Sequence, residues 1–300
     1  MAAVVMTGLV LVGGACSSGT SPNSGKKSVV VTYTVLGSVV SDLVGDYADV
    51  TVLMPNGADP HDWAPSAKGI EKLTKADLLV ENGLNLEGGM GNAFNQAQKA
   101  GVRRFIASDH ITVRHVGQGE GVNATDPDQS QGAADPHLWM DPLTMKDVVA
   151  ALAIELKDGL GIDVSARATD LEGRLSKLND QLTTTLSVIP QAQRQLVTGH
   201  ESLGYFADRY SFKLIGAIIP SLTSQSEASS ADLAALESKI RAAGVKAIFT
   251  ELGTSSAVAD AVGKDTGAKV VELATHALPS DGSYFTYLTD IGNLVASNLK

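Results

Sequence analysis

The apolar positions along the chain follow two periods in alternation. Runs rich in β-branched residues occur at 29–34 (VVVTYT), 50–54 (VTVLM), 77–81 (DLLVE) and 102–107 (VRRFIA), and each reads as a buried strand. Helical spacing fills the intervals, at roughly 37–47, 66–76 and 87–100. A βαβα rhythm of this kind predicts a parallel sheet covered by helices. The stretch 116–135, VGQGEGVNATDPDQSQGAAD, breaks the rhythm and reads as a loop. Pro142 then opens a helix to about residue 157, because proline at the first helical position gives up an N–H that would go unbonded anyway.

The clearest periodicity lies next. Val164, Ala168, Leu171, Leu175, Leu178, Leu182, Leu186 and Ile189 recur in steps of three and four, one face of an α-helix, and Pro190 ends the run. About 26 residues at 1.5 Å each make a rod of about 39 Å, long enough to span two domains. Beyond it the first rhythm resumes. Strands are expected at 196–198, 214–219, 247–251 and 269–273, and helices at about 202–210, 230–243, 255–265 and 284–299. The expected fold is therefore α/β, with two lobes, each a mainly parallel sheet flanked by helices, joined by one long rigid helix. The expected bounds are 28–160, 163–190 and 191–300.

Composition narrows the function. The chain has 300 residues, 44% hydrophobic, enough for two domain-sized cores. A net charge of −10 argues against nucleic acid as a partner, since phosphate binding needs a basic face. One cysteine, Cys16, excludes an internal disulfide and a thiolate metal cluster. Residues 1–15, MAAVVMTGLVLVGGA, form an uncharged apolar run ending in small residues directly before Cys16. Residues 16–27 are a polar, flexible tether. This pattern reads as a bacterial lipoprotein signal, with a lipid on Cys16 anchoring the protein to the outer face of the cell membrane. The run is too short to span a bilayer.

The candidate chemistry rests on histidine. The string Ala-Asp-Pro-His-x-Trp occurs twice, as ADPHDW at 58–63 and ADPHLW at 134–139. Phosphate-loop, GxSxG and HExxH motifs are absent. His61, His137 and His200 all fall in loops beside expected strand ends, where ligands collect in open α/β sheets. Neutral imidazole is the commonest metal ligand. Proline fixes its own φ and pushes the preceding Asp toward extended geometry, so each of the first two histidines leaves a stiff turn. Asp59 and Asp135 are candidates to accept a second ring N–H. His110, His115 and His276 read as ordinary solvated loop residues. Trp63 and Trp139 read as packing residues, and Glu201 as a first-turn helix acid.

Several segments together resemble the zinc/manganese solute-binding lipoproteins of bacterial ABC importers. PNGADPHDWAPSAKGIEKLTKADLLVENGLNLE (55–87) resembles that family's first ligand segment and ADPHLWMDPLTM (134–145) its second. The long helix resembles its interlobe rod. TGHESLGYFADRYSFKLIG (198–216) resembles its third ligand segment, and ELGTSS (251–256) with AKVVEL its later strands. The resemblance implies four metal ligands, which fall here on His61, His137, His200 and Asp281, with Asp290 and Glu251 as alternatives for the fourth. Three imidazoles and a carboxylate suit Zn²⁺, with Mn²⁺ as the alternative transported ion. It further implies delivery to an ABC permease, with no catalysis, by a monomer whose rod restricts lobe closure. A zinc-dependent hydrolase, with a water in place of Asp281, and a metal-binding surface adhesin on the same fold are the rival readings; a haem or siderophore binder would not need the three histidines.

Overall fold

The computed structural model describes residues 25–118, 120 and 130–300. Cys16 and half of the 116–135 loop lie outside the described residues.

Among the described residues, eight strands form two four-stranded sheets. The first contains β1 (Lys27–Val31), β2 (Ala48–Val52), β3 (Leu78–Glu81) and β4 (Arg103–Ile106), ordered β2-β1-β3-β4 with every pairing parallel. The second contains β5 (Gln195–Thr198), β6 (Lys213–Ala217), β7 (Ala247–Thr250) and β8 (Lys269–Glu272), ordered β6-β5-β7-β8 and again parallel. The two sheets share one topology. In each, the chain steps outward once and then returns past the first strand, which opens a crevice at the carboxyl ends of the two middle strands.

Helices cover both sheets. In the first half these are α1 (Thr34–Val44), α2 (Ala67–Thr74), α3 (Gly91–Lys99) and α4 (Pro142–Leu160). Local chemistry sets their ends. The Ser66 side chain caps α2, and Asp141 caps α4 just ahead of Pro142. Gly161, at φ 72°, stops α4 in the left-handed conformation. In the second half α6 (Gly204–Tyr210), α7 (Ser230–Ala243), α8 (Ser256–Thr266) and α9 (Tyr284–Leu299) alternate with the strands. Ser229 and Asp232 form a capping box at the start of α7.

The long helix, α5, is Ser165–Leu186, 22 residues, or about 33 Å at 1.5 Å per residue. Its buried face is Ala168, Leu171, Leu175, Leu178, Leu182 and Leu186, the stripe that the spacing marks out. That face packs on α4 and α1 of the first half and on α9 of the second. Leu182 sits in a notch of α9 made by Gly292, where a Cβ would stand 2.4 Å from a Leu182 methyl carbon.

One hydrophobic cluster runs through both halves, from Val29, Leu36 and Trp139 through the α5 stripe to Phe206, Tyr284 and Leu288. Hydrogen bonds cross with it. Trp139 Nε1–H donates to the Thr275 carbonyl (3.2 Å) and to Tyr287 Oη (3.1 Å). The Tyr284 hydroxyl donates to the Trp139 carbonyl (2.8 Å). Arg209, on α6, grips the Asp141 carboxylate with two nitrogens at 2.9 and 2.7 Å. Among the described residues no helix is long and apolar enough to cross a membrane.

Candidate metal centre

Each half brings side chains to the carboxyl ends of its strands. His61 follows β2, and His137 follows β4 by way of the 107–136 segment. His200 follows β5, beside the crevice between β5 and β7. The three rings meet. His137 Nε2 lies 3.3 Å from His61 Nε2 and 3.1 Å from His200 Nε2. All three side chains are buried, His137 and His200 completely and His61 to 8% exposure. Four nitrogens placed tetrahedrally at about 2.0–2.1 Å from Zn²⁺ stand about 3.3 Å apart, close to the separation of His137 from His61 and from His200.

The groups behind the rings decide which nitrogen faces inward. Asp135 Oδ1 accepts from His137 Nδ1–H at 2.8 Å and from the His137 backbone N–H at 3.0 Å. The proton therefore sits on Nδ1, and the Nε2 lone pair points at the other two rings. Asp135 is itself held by Arg114 Nη1 at 3.2 Å. Arg114 also reaches Glu120 and, in the second half, Asp208. In the second half the orienting carboxylate is Glu251, which follows β7. Its Oε1 lies 3.0 Å from His200 Nδ1 and accepts the His200 backbone N–H at 3.1 Å. Ser202 and Thr275 donate to it as well. Glu251 thus stands behind the ring, hydrogen-bonded to the His200 backbone and within ion-pair distance of Nδ1, though off hydrogen-bond geometry there.

A fourth imidazole lies nearby, grouped with Asp59 and His61. His276, in the loop after β8, is 5% exposed, so the expectation of a solvated loop residue is corrected. Its ring centroid is 5.8 Å from that of His200 and 6.2 Å from that of His61. Its Nδ1 faces Thr275 Oγ1 at 3.1 Å, and its Nε2 is buried without a hydrogen-bond partner. An orphaned buried imidazole nitrogen costs free energy unless a cation or a proton occupies it.

The structure does not bring Asp281 into this group. Asp281 is exposed at the start of α9, where Oδ1 accepts the Ser283 backbone N–H (3.0 Å) and Oδ2 the Thr286 hydroxyl (2.7 Å). Those bonds hold its carboxyl below the usual range. Asp290 is exposed on α9 beside an apolar groove. His110 stacks on Phe105, and His115 pairs its backbone with Ala134. Position carried the missed signal for His276: like His200, it follows a strand of the second sheet at its carboxyl end.

Electrostatics keep two of the four rings neutral. Burial, followed by the neighbouring imidazoles of His200, His137 and His276, pushes His61 well below the ordinary histidine value. Burial also brings His276 down, to about 4, against the pull of Glu251. Burial opposes charge on His200 too, but Glu251 outweighs it, and the His200 pKa rises. Neutral imidazoles are competent ligands, and a proton on His200 would be displaced by a metal ion. Solvent reaches the group through a cleft of about 460 Å³ lined by His61, Leu84, Asn85, Pro136, Leu222 and Gln225 among others.

Residues 29–296 match the ZnuA family, described as the periplasmic component A of a zinc-uptake complex. The chain belongs to this family. Its members are substrate-binding components of metal ABC importers, and they are not enzymes. Among curated relatives, the metal ABC transporter substrate-binding lipoprotein of Lactococcus lactis is 28% identical, over 89% of this chain and 85% of that one. The manganese-binding lipoprotein MntA of Halalkalibacterium halodurans is 26% identical, over 93% and 90%. Among solved structures, the periplasmic zinc-binding protein TroA of Treponema pallidum superposes with a TM-score of 0.78 at 25% identity, covering 92% of this chain and 99% of that one. The two-lobe fold of that protein is the fold described here.

Proposed function

We propose that this protein captures Zn²⁺ with His61, His137, His200 and His276, and releases it to an ABC permease. The observation that carries this reading is the convergence of His61 and His200 Nε2 on His137 Nε2, at 3.3 and 3.1 Å, with His276, whose buried Nε2 lacks a partner, in ligand range of His61. A divalent cation among the rings would replace these nitrogen–nitrogen contacts with bonds to the metal. Exchange of the expected Asp281 for His276 makes the set richer in nitrogen. Such a set favours Zn²⁺ over Mn²⁺, since affinity for nitrogen donors rises along the series toward copper and zinc, while manganese prefers oxygen. Relatives named for manganese and for zinc both exist, so the ion is a property of the donors in this chain.

The same reading places the mature protein outside the cytoplasmic membrane, as a monomer, with a lipid on Cys16 tethering it near the permease. The lipoprotein names of the relatives support the tether. Metal analysis of untagged protein, followed by competitive Zn²⁺/Mn²⁺ titration of wild type and His200→Glu, tests the assignment. Wild type is expected to prefer Zn²⁺, and His200→Glu to shift the preference toward Mn²⁺. Wild-type protein that binds neither ion, or prefers Mn²⁺, contradicts it.

A further inference from the structure

The two Asp-Pro-His segments place their aspartates differently. Asp135 binds the ring of its own histidine, whereas Asp59 binds only the His61 backbone N–H, through Oδ1 at 3.0 Å. Its other oxygen, Oδ2, accepts the hydroxyl of Ser224 at 2.5 Å, from the segment between β6 and α7 in the second half. Gly253, at φ 88°, leaves room for this meeting, since a Cβ there would stand 2.8 Å from Ser224 Cβ and 3.3 Å from Asp59 Oδ2. Asp59 is partly exposed. One donor atom from each of Asp59, His61 and His276 lies within 4.8 Å of the others, a second three-donor set that shares His61 with the first. A second cavity, about 340 Å³ and with no lining residue in common with the first, reaches His276 past Gly57, Gly253 and the carboxylate of Glu272.

We propose that Asp59, His61 and His276 form a receiving site, in which the ion is caught before it moves onto His137 and His200. This inference rests on the four-histidine reading above and adds an order of events to it. Depth supports that order: His137 and His200 are wholly buried, His61 and His276 retain 8% and 5% exposure, and Asp59 is more exposed still. Charge supports it as well. The four imidazoles offer an incoming cation no negative charge, whereas Asp59 lies in reach of His61 and His276 and supplies one. A hydrated divalent ion gives up its waters stepwise, and a carboxylate oxygen is a mild first replacement before the nitrogens take over. Once the ion has moved inward, Asp59 keeps its bonds to Ser224 and to the His61 backbone.

The test is stopped-flow Zn²⁺ binding, read by the fluorescence of Trp139, whose ring centroid is 5.4 Å from that of His137 and 5.8 Å from that of His276. Asp59→Asn is expected to slow association by about tenfold, the lower end of what electrostatic steering supplies. Dissociation should slow in step, so that Kd moves less than about threefold. Ser224→Ala keeps the carboxylate and is expected to associate at the wild-type rate. Circular dichroism and Tm of each variant check that it is folded. An unchanged association rate in Asp59→Asn overturns the inference, as does an equal slowing in Ser224→Ala, which would make Asp59 merely a clasp between the halves. Wild-type protein without Zn²⁺ binding overturns the four-histidine reading and this inference together; the other two outcomes overturn this inference alone.

Discussion

The two Ala-Asp-Pro-His-x-Trp strings are nearly identical in sequence and are used in opposite ways. At 134–139 everything turns inward. Asp135 and His137 are wholly buried, the carboxylate fixes the ring, Arg114 fixes the carboxylate, and Trp139 is locked to Thr275 and Tyr287 of the second half. At 58–63 the same letters sit at the rim of a cleft. Among the described residues no carboxylate is hydrogen-bonded to the His61 ring, Asp59 reaches across to Ser224, and Trp63 only lies against the core. A motif of this length specifies a stiff turn. Burial and neighbours then decide whether the turn serves as a fixed wall or as an accessible lip.

Several measurements sharpen or break this contrast. The largest effect belongs to the wall. His137→Ala should weaken Zn²⁺ binding by more than about 100-fold, beyond the range typical of orienting partners. Asp135→Asn should weaken it by about 10- to 100-fold, because the ring loses the acceptor that fixes its tautomer. Asp59→Asn should change equilibrium affinity by less than about threefold, well below that range. Equal losses in the two aspartate variants, measured by competition with a chromophoric chelator, would erase the distinction.

Protons should compete with the metal. Zn²⁺ affinity is expected to fall as pH drops below the raised value of His200, and to fall further where His61 and His276 take up protons, by up to tenfold per unit for each proton that must leave. Stability of the metal-free protein responds in two senses. His61 and His276 have folded pKa values depressed below the unfolded value, so the unfolded chain binds more protons. Their contribution is present above about 6.5 and is lost as pH falls, for His276 toward about 4. His200 is raised by Glu251, so its contribution is present below about 6.5 and is lost as pH rises through its folded value. Thermal melts across pH 4–8 with and without chelator separate the two. A melting temperature independent of pH in the metal-free protein contradicts the burial described here.

The smallest effect concerns Asn56, on the same loop as His61. Its side-chain amide donates to the Leu278 carbonyl (2.9 Å) and its carbonyl accepts the Leu278 N–H (2.8 Å), joining the two halves close to His276. Asn56→Ala should cost about 1 kcal/mol, as expected for exposed neutral hydrogen bonds. Urea unfolding with an unchanged m-value would report it. The joint core also predicts that metal-free and metal-loaded forms differ by small movements, and a large hinge rotation would contradict that.

Most of the architecture was legible in the sequence. All eight strands lie where β-branched runs stand, and α7 and α9 match their expected bounds, since capping serines at 229 and 283 mark their starts. The meeting of His61, His137 and His200 was legible from their loops beside strand ends. His276 was not, because ATHALPSDG has neither the Asp-Pro turn nor a neighbouring tryptophan. Its burial comes from Trp139 and His200, distant in sequence. Asp281 lies outside the cluster for the converse reason. It has the right neighbours in sequence, but its carboxylate is used locally to start α9. The division of labour between Asp59 and Asp135 was equally invisible, because it depends on Ser224 and Arg114.

The central claim is that His276 completes the centre and that Asp281 takes no part in it. Parallel Zn²⁺ titrations of His276→Ala and Asp281→Ala test it most directly. The account predicts a loss of more than about 100-fold for His276→Ala, beyond the effect of an orienting residue, and wild-type affinity for Asp281→Ala. Wild-type affinity in His276→Ala together with a large loss in Asp281→Ala would contradict it.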